Sequence, residues 1–179
     1  MNSKLLTELL DELRTEFPSF NIKPKASSFF MKLVNVLLLV LTLGKQKKFM
    51  ESFTTTIGST VYTSGEWRTL ADYSRVIILR HERVHLRQAK KYGRFVFAFL
   101  YLFCPLPVFY AKWRTQFEME AYAESMQALH DFGGNLLAPS YRDAMVGHFL
   151  GAEYGWMCRD RAKVEQWFSS TLEQVLRER

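Results

Sequence analysis

Two histidines four residues apart, with a glutamate beside the first, are the side chains here best spaced for chemistry. His81-Glu82-Arg83-Val84-His85 reads H-E-x-x-H within ILRHERVHLRQ, residues 78–88. On a helix, residues four apart share one face, so both imidazoles could bind a single Zn²⁺. Glu82 falls on the turn between them. A carboxylate there can take a proton from an activated water and pass it to a leaving amine. With 4 histidines and 13 glutamates in 179 residues, chance yields about 0.006 such pentapeptides. The competing reading is two surface histidines around a solvated glutamate, in a helix rich in arginine (Arg80, Arg83, Arg87).

A hydrolytic zinc site takes three protein ligands and keeps one position open. The stretch RTQFEMEAYAES, residues 114–125, offers Glu118, Glu120 and Glu124 in a second helical segment. Glu120 and Glu124 are four apart and share a face. One of the two could bind the metal while the other accepts a hydrogen bond from a ligand histidine, fixing its tautomer. The alternative register pairs Glu118 with Tyr122 and supplies no second acid. Zinc is favoured over iron, because the two-His, one-carboxylate set of iron oxygenases usually sits on β-strands. Gln88, three residues after His85, lies on the ligand face, either lining a cleft or making a packing contact.

H-E-x-x-H followed on a later helix by E-x-x-x-E resembles the gluzincin zinc metallopeptidases, and the chain's size is closest to the minigluzincins. The phrase E-A-Y-A-E, residues 120–124, is similar to the E-x-x-A-D of membrane-linked gluzincins. The resemblance covers roughly residues 50–130, and it departs from the family where Glu124 stands for the usual Asp. It implies a metalloendopeptidase using Zn²⁺, with His81, His85 and Glu120 as ligands, Glu82 as general base and Glu124 behind a histidine. It also implies a peptide or protein substrate bound in extended form along a sheet edge before the zinc helix. Such enzymes commonly add a Tyr or His that steadies the developing oxyanion. His148 and Tyr154, in GHFLGAEYGWM, are the candidates; a surface histidine and a buried tyrosine are their ordinary readings. His130, ending a helix, is expected only to favour its dipole.

The elements that must hold these groups follow from periodicity. Leu5, Leu6, Leu9, Leu10, Leu13 and Phe17 predict a helix over 3–17. Residues 18–25, with two prolines, read as a connection. Thr, Val, Ile and aromatic residues over 50–66 predict a hairpin turning at Gly58-Ser59. Long helices are expected over 69–92, stopped by Gly93, and over 108–131. A shorter one runs from Pro139 toward Gly151, and a last one spans 159–178 with Val164, Trp167, Phe168, Leu172 and Val175 buried. The expected class is α+β, mostly helical, with a small antiparallel sheet before a zinc-binding helix pair. One domain spans 1–179: a helical segment 1–48, a metallopeptidase-like core 49–131 and a helical segment 132–179.

Composition excludes several classes. Hydrophobic residues make up 48% and charged residues 23%, so extensive disorder is ruled out. Two cysteines, Cys104 and Cys158, are too few for a disulfide framework and read as buried thiols. No nucleic-acid module is present. The first residues, MNSKLLTELLDELRTEF, lack a signal peptide's apolar run, so a cytoplasmic location is expected. Two apolar runs, 29–43 and 95–111, are shorter than the roughly 20 residues of a bilayer span and read chiefly as buried helices. Peripheral membrane contact stays open through these runs, the Lys45–Lys48 cluster and a basic stripe (Arg80, Arg83, Arg87, Lys90, Lys91, Arg94) read first as solvated. Two other classes therefore stand beside a peptidase: an inactive zinc-binding structural component, and a membrane-associated binding module.

Overall fold

A computed structural model describes residues 2–41, 44, 49–102, 112–151 and 157–178. These residues contain seven α-helices and three short strands. In chain order they are α1 (Asn2–Glu16), β1 (Asn21–Pro24), α2 (Phe29–Leu41), β2 (Thr55–Ile57), β3 (Thr60–Thr63), α3 (Asp72–Tyr92), α4 (Arg94–Leu102), α5 (Lys112–Asp131), α6 (Pro139–Leu150) and α7 (Arg161–Arg177). The mostly helical α+β class is observed. Local signals set the boundaries. Asp160 caps α7, its carboxylate accepting from the Lys163 amide at 3.1 Å. Gly93, at φ 81°, takes the left-handed turn that separates α3 from α4. The Lys45–Lys48 cluster and Cys104 lie outside the described residues.

The sheet is a correction in part. β2 and β3 form the expected antiparallel hairpin, turning through Gly58 at φ 63°. A third strand, β1, pairs parallel to β3, so the sheet is mixed, in the order β1-β3-β2. Residues 18–25 are thus not merely a connection. Four residues ending in proline give almost no alternation signal, and Pro24 is tolerated because β1 lies at a sheet edge.

Two apolar clusters flank the pair α3 and α5. On one side Leu9, Leu13 and Phe17 of the N-terminal segment meet Val61 of β3 and Val76, Leu79 and Leu86 of α3. On the other, Met126 of α5 packs with Met145, Val146 and Phe149 of α6, Met157 and Cys158, and Val164, Phe168 and Val175 of α7. Trp167 and Leu172 pack against this second cluster, so the expected inner face of α7 is observed. A smaller aromatic cluster, Ala89, Phe97 and Phe117, joins α3, α4 and α5.

One expectation about surface fails and another holds only in part. The run from Phe29 does form a helix, but of its long apolar side chains only Met31 is fully buried; Phe29, Phe30, Leu33, Val36, Leu37 and Val40 are exposed. Apolarity alone does not say which face a neighbour covers. The basic stripe, conversely, is not simply solvated. Arg83 and Arg87 bind Glu16 of α1, Arg83 also binds Glu12, and Arg80 binds Glu124 and Asp131 of α5. Acids on both neighbouring helices thus meet arginines spaced along α3. Among the described residues, no helix is long and apolar enough to cross a membrane.

Candidate metal centre

His81 and His85 stand one turn apart on the face of α3 that meets α5. Their rings are edge-on, with centroids 4.9 Å apart, and their Nε2 atoms are 3.2 Å apart. From α5 the buried carboxylate of Glu118 reaches the same point. Its Oε2 is 3.5 Å from His81 Nε2 and its Oε1 is 3.7 Å from His85 Nε2. These three side chains could hold a metal ion. Ligands about 2.0–2.1 Å from a tetrahedral Zn²⁺ stand about 3.4 Å from one another; the Nε2 pair at 3.2 Å and His81 Nε2 with Oε2 at 3.5 Å match that spacing, while His85 Nε2 meets the other oxygen at 3.7 Å.

Both ring tautomers are fixed for this task. His81 Nδ1 lies 3.1 Å from Ser125 Oγ, whose hydroxyl donates to the Ala121 carbonyl. Since that hydroxyl's proton is used, the ring N–H donates to it. His85 Nδ1 lies 2.9 Å from the Gln88 amide oxygen, while the Gln88 NH₂ donates to the Phe117 carbonyl at 3.1 Å and to Glu120 at 2.8 Å. In each ring Nδ1 carries a proton, so in the neutral ring the lone pair of Nε2 points at the common centre.

Glu120 therefore does not reach the imidazoles as a third ligand. Its carboxylate accepts from Gln88 and Gln116, one step behind His85. Glu124 does not stand behind a histidine either; it accepts from Arg80 Nε at 2.6 Å. The reason is helical phase. The buried face of α5 runs through Glu118, Ala121, Ser125 and Ala128, and Glu120 is turned about 200° from Glu118. The small residues of that stripe let α5 approach α3, and where one carboxylate was expected behind a histidine, Ser125 stands behind His81 and Gln88 behind His85. That spacing of Glu with small residues was the available signal for Glu118.

The surroundings charge the site. Burial alone would raise the Glu118 pKa, but the fields of His85, His81 and Arg114 and the His81 hydrogen bond hold it well below the usual carboxylate range. Burial works against a charge on His81, yet the hydrogen bond and field of Glu118 prevail and raise its pKa. Tyr101 of α4 donates a hydrogen bond to Glu118 Oε1 and stands edge-on to His85 at 5.8 Å. Burial and the neighbouring carboxylate push its phenol pKa well up, so it remains a donor. Sequence reasoning missed Tyr101, which sits in an apolar run with no spacing signal.

Glu82 is buried on α3, and its Oε2 accepts a 2.6 Å hydrogen bond from Thr56 of β2. The sheet thus orients the carboxylate beside the first histidine. His148 is brought to Tyr122, with ring centroids 5.3 Å apart, and Tyr122 stands edge-on to His81 at 4.7 Å. It is one ring removed from the centre. Tyr154 lies outside the described residues. No protein-family model, curated protein or solved structure matches this chain.

Proposed function

We propose that this protein is a zinc metallopeptidase of gluzincin type. The observation that carries the reading is the convergence of His81 Nε2, His85 Nε2 and a Glu118 oxygen on one point, with the buried Glu82 carboxylate adjacent in the chain. His81, His85 and Glu118 would hold Zn²⁺, which when bound supplies a Lewis acid that acidifies water and polarises a carbonyl. Glu82 accepts the proton of the attacking water and returns it to the leaving amine. The Thr56 hydroxyl holds one Glu82 oxygen and leaves the other for the proton. Tyr101, Gln88 and Ser125 hold the three ligands in place. β2 forms one edge of the sheet, which suits an extended peptide added as a further strand.

Burial favours one other reading. Glu82, His85 and Glu118 are each at most 6% exposed, as in a metal site that serves structure. Glu82→Gln separates the two. With a zinc-loaded protein and a broad set of fluorogenic peptides, the enzyme reading expects peptide cleavage to fall by at least 10²-fold, the scale of acid–base catalysis, with zinc retained. Zinc binding without cleavage in the unmodified chain gives the structural reading instead.

A further inference from the structure

α2 has its apolar side outward. At about 100° per residue, Phe29, Phe30, Leu33, Val36, Leu37 and Val40 fall within an arc of about 120°, and that arc faces away from the protein. Phe29 is 82% exposed and Val40 67%. A helix of a globular protein ordinarily turns such a stripe to the core. α4 repeats the pattern on a smaller scale. Its inner side carries Phe97, 5% exposed, and the Tyr101 that holds Glu118, while Phe95 on its outer side is 93% exposed.

Charge identifies what these faces meet. Residues 17–50, which contain α2, include six lysines and no Asp or Glu. Residues 83–117, which contain α4, include seven Lys or Arg and no Asp or Glu. The two stretches thus hold 13 of the 24 basic residues and none of the 18 acids. Some of these cations are engaged: Lys25 is buried, and Arg83 and Arg87 bind α1. Lys32 is exposed on α2, and Lys90, Lys91 and Arg94 are exposed in the five residues that precede Phe95 in the chain. A second copy of the chain would set these cations against their own equivalents, because a twofold interface apposes the same patch. An anionic bilayer surface satisfies both properties, taking apolar side chains at the acyl boundary and cations at the headgroups. A 13-residue helix is about 20 Å long, too short to span the roughly 30 Å hydrocarbon layer, but suited to lying in its plane.

We propose that α2 and the outer side of α4 dock this protein on the surface of an anionic lipid bilayer. The proposal is independent of the metal centre and of peptide cleavage. The full chain is floated with vesicles of phosphatidylcholine alone or mixed with phosphatidylglycerol, at low and high salt. Flotation with the anionic vesicles is expected, weakening with salt and with neutral lipid. Phe29→Ser/Leu33→Ser and, separately, Phe95→Ser should reduce flotation while keeping the unmodified chain's melting transition, these side chains lying outside the core. Lys90→Gln and Lys91→Gln should each weaken binding by on the order of fivefold. Absence of flotation with anionic vesicles overturns the proposal. Flotation unchanged in both apolar variants overturns it too, as does a lipid-free dimer in light scattering that Phe29→Ser/Leu33→Ser dissociates, which would assign the face to a second copy.

Discussion

At the scale of single residues, two glutamates two positions apart have different work. Glu118 faces both imidazoles, and Glu120 stands behind Gln88. On the proposed zinc site, Glu118→Gln would remove a ligand and its negative charge, so zinc affinity should fall by well over 100-fold in competition with a chelator. Glu120→Gln perturbs only the support of His85, and a loss of about 10-fold is expected, the lower end for outer partners of a metal ligand. Protons compete for the same atoms. Glu118 raises the His81 pKa above its ordinary value of 6.5, so zinc affinity should decline as pH falls through and below neutrality. Equal losses in the two variants would contradict the assignment. The histidine pair was legible from spacing alone, because i and i+4 on a helix admit one geometry. The third ligand was not, because three glutamates on one helix differ only in phase against a partner that the sequence does not locate. Expecting a carboxylate behind one of the histidines favoured the other phase; a serine hydroxyl and a glutamine amide also accept that proton.

Between elements, the informative contact is β2 against α3. The Thr56 hydroxyl donates to Glu82 across 26 positions of chain. A hydrogen bond to a charged group contributes about 1.5–3 kcal/mol. Thr56→Val should therefore lower kcat/KM for peptide cleavage by about 10-fold or more, while Thr56→Ser restores it and zinc content stays constant in both. A valine variant as active as the parent would show that Glu82 needs no such support. The helices were largely readable, since their stripes recur over many turns. β1 was not: its four residues owe their conformation to pairing with β3, a strand nearly forty residues later. α2 was readable as a helix but not as an exposed one, because burial depends on what packs alongside.

Across the whole molecule, the N-terminal segment is fastened to the rest by charge as well as by leucines. Lys25 is fully buried, its ammonium donating to the Phe49 carbonyl at 2.8 Å and lying 3.6 Å from the Phe49 ring centre. Burial lowers its pKa from 10.5 to about 7, against the opposing field of Glu82. The folded state thus releases this proton before the unfolded chain does. Below pH 7 both states hold it; between about 7 and 10.5 only the unfolded chain does, so stability should rise with pH across that window. Lys25→Met should flatten this rise in urea titrations at a series of pH values. A slope unchanged by the substitution would mean that the ammonium is not held as described.

α4 offers the candidate metal centre one side and the surroundings the other. Tyr101 grips Glu118 while, six residues away, Phe95 stands in the open. If an ion held one side of this nine-residue helix and an outside surface the other, thermodynamic reciprocity would apply: whatever factor the surface added to ion affinity by shifting α4, the ion would add to affinity for that surface.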